Sequence, residues 1–336
     1  MSEENFADIG KVDAIARLFE GTPYKPFSVP VFETAAKAYV SSASRLFLEG
    51  IDFDLVYFPL KHLGYKCITA VTGELYAAFS HPRSLTVRLG ISAKLDFPMV
   101  SELWAGMVSA ATEHGYAAMD LDLVPSTNGL SISVSASGET SVLTEKRRPE
   151  PKSKDLICVS GNLGGAYFGQ RVLDRAKAGF DAAGEQPQLE EYKMMVASYL
   201  KPEISPDTMV QMERQEIIPS RGYLVSTGLS DAIKRLSRDT GLGAKIYAGM
   251  IPFEGNSFEL GKELDIDPVS AAMNGGDDYR LLYVIPILRL EEFRRDFQTF
   301  DIIGHLALPE VGTVLVTPEV VELPLRAQGW KESDES

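Results

Sequence analysis

The sequence is poor in the residues that build covalent and metal frameworks. Only two cysteines occur in 336 residues, Cys67 and Cys158. Each lies in an apolar stretch (Lys66-Cys67-Ile68 and Leu156-Ile157-Cys158-Val159), which reads as two buried thiols rather than a disulfide. The four histidines, His62, His81, His114 and His305, are scattered without ligand spacing. No Cys–His zinc pattern and no His-paired nucleophile can be drawn from them. No apolar run approaches the roughly 18 residues of a membrane span, and Met1-Ser2-Glu3-Glu4-Asn5 has no signal-peptide character. A cytoplasmic protein with no membrane partner is the expectation. Positive charge is scarce as well: 33 Lys and Arg stand against 47 Asp and Glu, a net charge of −14. Nucleic acids reward clustered cations, so no nucleic-acid partner is expected. A small phosphate remains compatible with an acidic chain, because backbone N–H groups can hold it locally.

What is present is the composition of a globular chain, 45% hydrophobic and 24% charged, long enough for two domains. Leu85, Val87, Leu89 and Ile91 alternate and predict a half-buried strand. Leu103, Met107 and Ala110 follow at helical spacing, with Gly115 closing that helix. Leu130, Ile132, Val134 and Ala136 alternate again. From Glu145 to Lys154 no large apolar residue occurs, which marks either a domain boundary or a charged surface hairpin. Beyond it, Asp155–Val159 reads as a strand running into Ser160-Gly161-Asn162-Leu163-Gly164-Gly165 and a helix. Leu229, Ile233 and Leu236 predict a further helix after Ser226-Thr227-Gly228. Asn274-Gly275-Gly276-Asp277-Asp278 reads as a turn feeding the strand Tyr279–Ile285.

Three segments could carry chemistry. The loop Ser160–Gly169 can aim free N–H groups at a phosphate, although it matches neither the P-loop nor the dinucleotide fingerprint; a plain strand-to-helix turn is the alternative. Gly275-Gly276-Asp277-Asp278-Tyr279 combines close backbone approach with adjacent carboxylates, or is a turn capped by its own Asp side chains. Asp120 and Asp122 fall on one side of a strand, where they would repel each other unless a cation or basic group sits between them.

Read in order, four blocks carry a resemblance: Leu48-Glu49-Gly50-Ile51-Asp52-Phe53, Leu63-Gly64-Tyr65-Lys66, Val159-Ser160-Gly161-Asn162-Leu163-Gly164 and Gly275-Gly276-Asp277-Asp278-Tyr279. Together they resemble the thiamine-monophosphate kinase family of the aminoimidazole-ribonucleotide-synthase-like superfamily, over about Pro30 to Trp330. The resemblance implies an α+β, two-domain fold. An N-terminal α/β domain (residues 1–145) would pair its sheet with that of a second copy in a homodimer and face the nucleotide. A C-terminal α/β domain (146–336) would face the substrate. It also implies transfer of the γ-phosphoryl group of ATP to a small phosphate ester, with ATP and Mg2+ as cofactors and a caged set of carboxylates as the physical requirement.

Against that pattern the acids are depleted. The family's Asp-Asp falls on Glu33-Thr34, its Ser-Thr-Asp on Ala43-Ser44-Arg45, and its Asn-Leu-Ser-Asp on Val71-Thr72-Gly73-Glu74. Its Gly-Gly-Asp-Thr falls on Asp120-Leu121-Asp122-Leu123, and its Asp-Ile-Ser-Asp-Gly on Leu224-Val225-Ser226-Thr227-Gly228. Glu33, Glu74 and Asp122 are left as metal-ligand candidates, with Asp120 as a further one. Arg45, Gly161, Asn162 and Gly164 are the candidates for phosphate or nucleotide. Gly275, Gly276, Asp278, Tyr279 and Trp330 are the candidates for substrate, and no catalytic residue is assigned. Two readings stay open: a divergent kinase, and a non-catalytic ligand-binding or regulatory homologue that needs neither ATP nor magnesium.

Overall fold

Period-two alternation lays out the first of two sheets. The computed structural model describes residues 31–33, 37–183 and 189–327. Strands β1 (Val31–Glu33), β2 (Ala38–Leu48), β3 (His81–Ile91), β4 (Ala118–Pro125) and β5 (Ser131–Ser141) form a sheet in the order β1-β2-β5-β3-β4. Ala43 and Phe47, Leu85 to Leu89 in steps of two, and Ile132 to Ala136 in steps of two point to one buried face. The opposite face carries the serines of β2 and β5 (Ser42, Ser44, Ser133, Ser135), as one-sided burial requires. Among the described strands of this sheet only β3 and β4 run parallel, because the helix α2 (Phe97–Glu113) carries the chain across between them. Asp96 caps that helix by accepting from the Met99 N–H at 3.0 Å, and the left-handed Gly115 follows its end.

The helix α1 (Leu60–Ala77) is different in kind: 15 of its 18 residues are buried. A helix apolar on every side belongs between layers, and α1 packs on the first sheet, on α2 and on the second sheet. Its approach to α2 is set by two glycines. A Cβ on Gly64 would fall 2.0 Å from the Leu103 carbonyl oxygen, and one on Gly106 would fall 1.9 Å from that of Lys61.

The second half contains helices α3 (Val142–Arg147), α4 (Gly165–Ala183), α5 (Lys193–Leu200), α6 (Asp207–Arg214), α7 (Leu229–Thr240), α8 (Ser257–Leu264), α9 (Pro268–Asn274) and α10 (Leu290–Asp296). Its sheet comprises β6 (Leu156–Ser160), β7 (Arg221–Val225), β8 (Gly243–Tyr247), β9 (Arg280–Ile285), β10 (Phe300–Ala307), β11 (Thr313–Val316) and β12 (Glu322–Pro324), in the order β12-β11-β8-β10-β6-β9-β7. The inner strand β6 is an unbroken apolar run because both its faces are covered. Leu156, Cys158, Leu224, Leu281 and Tyr283 face α1 and join the core of the first half. Their sequence neighbours Ile157, Val159, Val225, Leu282 and Val284 face the other way, onto α7. The charged stretch after α3 joins the sheets and is tied down. Arg148 donates to the carbonyls of Ala78 and Pro219 and to Glu145. Both cysteines are free and buried, as expected.

Candidate functional site

The two halves meet at a cluster of buried charges that sequence spacing alone did not assemble. Lys66 stands on α1 in the run Leu63–Ala77 and is 2% exposed. An ammonium so placed must be matched or neutralised. Its Nζ donates to the Tyr199 carbonyl at 3.0 Å and to Asp277 Oδ2 at 3.2 Å. It also lies 3.9 Å from the centre of the Tyr199 ring. Burial draws the Lys66 pKa below the ordinary lysine value, with Asp277 opposing.

Arg45, on the inward face of β2, comes next to this pair. Its guanidinium carbon lies 5.3 Å from the Phe47 ring centre and 5.5 Å from that of Tyr279. Burial works against its charge, but Tyr279, Asp277, Asp52 and Glu74 more than offset this and raise its pKa. Asp52 follows β2, and its carboxylate accepts from the Leu48 N–H at 2.8 Å. Burial raises its pKa, while Leu48 and Arg45 pull the other way. On the far side, Glu74 lies 3.8 Å from the guanidinium of Arg235 on α7. Arg235 also donates to Asp231 at 2.9 Å and to the Leu224 carbonyl at 2.7 Å.

The loop after α9 supplies the remaining groups at a conformational cost. Asp277 and Tyr279 both have positive φ, 62° and 48°, which costs a non-glycine residue about 1–2 kcal/mol each. Neighbouring contacts impose this path. The Asp277 N–H donates to the Ser226 carbonyl. The fully buried Asp278 carboxylate accepts from the N–H groups of Gly164 at 2.8 Å and Ala166 at 3.3 Å. Burial pushes the Asp278 pKa up to about 7, against those two hydrogen bonds. Tyr279 is fully buried and its hydroxyl finds no hydrogen-bond partner.

The candidates singled out by sequence fall into separate places. Arg45 and Tyr279 touch one another in the cluster, and Glu74 lies within its electrostatic range. Gly276 backs onto Ser226 and Thr227, whereas Gly275 packs against Tyr167. Gly161 lies beside the Arg280 side chain, and Asn162 donates to Glu254 at 3.1 Å. The N-terminus of α4, read as a phosphate cradle, already spends the Gly164 N–H on Asp278, a protein anion in the position a ligand anion would take. Asp120 and Asp122 share Arg88 at 2.8 and 4.0 Å, and each is more than 60% exposed. The basic group that two such carboxylates require is therefore present, and ion pairs so exposed are worth about 0–1 kcal/mol. Glu33 pairs through its backbone with Tyr39; its side chain, like Trp330, lies outside the described residues. Sequence reading missed Lys66, Asp52 and Arg235 as site residues. A signal existed for Lys66: it is the only charge between Leu63 and Gly73 in a helix otherwise free of charge there.

Magnesium prefers an octahedron of oxygens with several carboxylate or phosphate donors. Among the described residues no three metal-binding side chains converge. Glu74 faces Arg235, and Asp120 and Asp122 face Arg88. The residues described do not fit a multi-magnesium cluster. A cavity of about 680 Å³ opens elsewhere on the seam, lined by His81, Arg147, Glu213, Glu216 and Arg289 among others, and includes none of the candidates.

No family model matches the chain. It is 21% identical to the thiamine-monophosphate kinase of Aquifex aeolicus (strain VF5), over 87% of this chain and 90% of that protein. The thiamine-monophosphate kinase of Rhodopirellula baltica is 22% identical, over 71% of this chain but 66% of that protein. Among solved structures, AaThiL complexed with AMPPCP and TMP superposes with a TM-score of 0.80 at 18% identity, covering 99% of this chain and 100% of that one. The E. coli hydrogenase maturation protein HypE gives 0.62 at 15% identity, covering 86% of each chain. By sequence the chain is similar to thiamine-monophosphate kinases, and by fold it shares the architecture of AaThiL and HypE.

Proposed function

We propose that this chain binds a small phosphorylated ligand in the cleft between its two halves and has given up efficient magnesium-ATP phosphoryl transfer. One observation carries the reading. Arg45 takes the place of a family acid, and the acids that remain nearby are already matched, Glu74 by Arg235 and Asp277 by Lys66. Phosphoryl transfer rests on positioning and on neutralising charge with metal ions. Carboxylates paired with protein cations attract a divalent ion weakly. Thiamine monophosphate is the first ligand to try, because the relatives are thiamine-monophosphate kinases and the AaThiL structure holds TMP.

A second reading, a working kinase, draws support from the same superposition, since AaThiL also holds AMPPCP. In either case the reading includes a cytoplasmic homodimer. Light scattering can measure that assembly. Calorimetric titration of thiamine monophosphate, followed by 31P NMR of the protein with thiamine monophosphate and Mg-ATP, separates the two. The proposal expects ligand binding with no diphosphate product above the enzyme-free control. Metal-dependent ATP binding with turnover would replace it by the kinase reading.

A further inference from the structure

Arg45 is the cation of the cluster that makes no ion pair among the described residues, although Asp277, Asp52 and Glu74 act on it from a distance. Each acid around it is engaged by another group: Asp277 by the Lys66 ammonium, Glu74 by Arg235, and Asp52 by the Leu48 N–H. The Arg45 guanidinium has five N–H donors and remains charged at any working pH. Among the described residues it has no hydrogen-bond acceptor, only the faces of Phe47 and Tyr279. The side chain is only partly buried. Beside it lies the fully buried Tyr279 hydroxyl, next to the Asp277 carboxylate that opposes its ionisation. Two rings hold the guanidinium plane in place, so little freedom remains to be lost when an acceptor arrives. A flat, fixed, unspent donor fork is the geometry that pairs with two oxygens of a phosphoryl group.

We propose that Arg45 is a metal-free phosphoryl site, its guanidinium gripping the phosphate of the ligand directly where the family resemblance implies a divalent cation. This deepens the reading that the cleft takes a phosphorylated ligand and supplies the contact that reading lacks. No bond is made or broken in the step, and no co-reactant is needed. Lys66 contributes by compensating the Asp277 carboxylate, which its ammonium already takes.

Titration calorimetry with inorganic phosphate, then with thiamine monophosphate, in EDTA and again with excess magnesium, tests the site. Wild-type protein should bind inorganic phosphate in EDTA, with no tightening on adding magnesium and with an affinity that falls as salt rises. Arg45→Met should weaken binding about 10- to 100-fold, the loss of charge-assisted hydrogen bonds. Because Arg45→Met also alters a packed cluster, Arg45→Lys is measured beside it; retaining the charge but not the fork, it should fall between the two. Binding that needs magnesium would overturn the proposal, as would Arg45→Met and Arg45→Lys proteins, each folded by circular dichroism, that bind as tightly as wild type. Phosphate binding through Arg45 without thiamine monophosphate binding keeps the site and rejects the ligand assignment. Thiamine monophosphate binding unaffected by either variant keeps the ligand and rejects the site.

Discussion

Asp278 shows what a single residue does when its surroundings reverse its usual behaviour. An exposed aspartate is ionised at neutral pH, but this one is enclosed and its pKa is pushed up to about 7, against about 3.9 in an unfolded chain. Between those values the native state holds a proton that the unfolded state has released, so the contribution of this group to stability falls as pH rises through that window. The expected outcome is that Asp278→Asn gains relative to wild type as pH rises from 4 to 7.5. The difference should reach roughly 1–3 kcal/mol in denaturant titrations read at each pH. A constant difference across that range would mean that Asp278 is ionised in the native state throughout. This carboxylate belonged to the substrate candidates from sequence. In the structure it stitches the Gly164 turn to the Asp277–Tyr279 loop and so fixes where Tyr279, and through it Arg45, can sit.

At the scale of elements, the position of the cluster depends on how closely α1 lies against α2. Gly64 and Gly106 face the partner backbone at distances that a methyl group cannot share. Gly106→Ala should therefore destabilise the protein by about 2–3 kcal/mol through overpacking, although alanine favours helix intrinsically. Thermal melting checks this, and an unchanged or raised melting temperature would mean that the helices can separate without loss. Displacing α1 also moves Lys66 and Glu74, so the same variant should weaken ligand binding at temperatures where it remains folded. The glycine pattern on α1 was visible in the sequence as Leu63-Gly64-Tyr65-Lys66, but the reason for it is the tertiary crossing. Strand and helix periodicities were read correctly for β3, α2, β5, β6, α7 and β9, because each has one clean apolar face or a continuous buried run. The α1 helix, buried on nearly every side, has no amphipathic stripe to announce which surface it meets.

For the whole molecule, the question is whether two sheets amount to two folding units. One apolar core runs from Phe47 and Leu75 through α1 to Leu224, Tyr283 and Phe300 in the second sheet. The Tyr283 hydroxyl also donates to the Tyr76 carbonyl at 2.7 Å across the seam. A shared core of this kind couples the halves, unlike the thin, polar interface of independently moving domains. Unfolding should therefore appear as one transition, with near-ultraviolet and far-ultraviolet signals coinciding in denaturant. Two separated transitions would show that the Arg148–Asp155 connection is a hinge between independent units. With the magnesium cluster absent from the described side chains, the melting temperature should also be the same in EDTA and in excess magnesium.

The sequence by itself determined the buried thiols, the periodicity of single strands and helices, and the lack of an apolar run long enough to span a membrane, since these follow from composition and from pattern along the chain. The fold class came from the family resemblance. Set against the family pattern, the sequence also implied that acids are missing. Only the tertiary structure decided what replaced them. Arg45, Asp52, Lys66, Glu74, Asp277 and Arg235 come from five separate elements, and which carboxylate pairs with which cation depends on distances that no spacing encodes. Desolvation acts only after folding has removed the water. That is why Asp278 turned inward as a scaffold carboxyl group, Asp120 and Asp122 stayed on a solvated strand face with Arg88, and Arg45 was left with donors unspent.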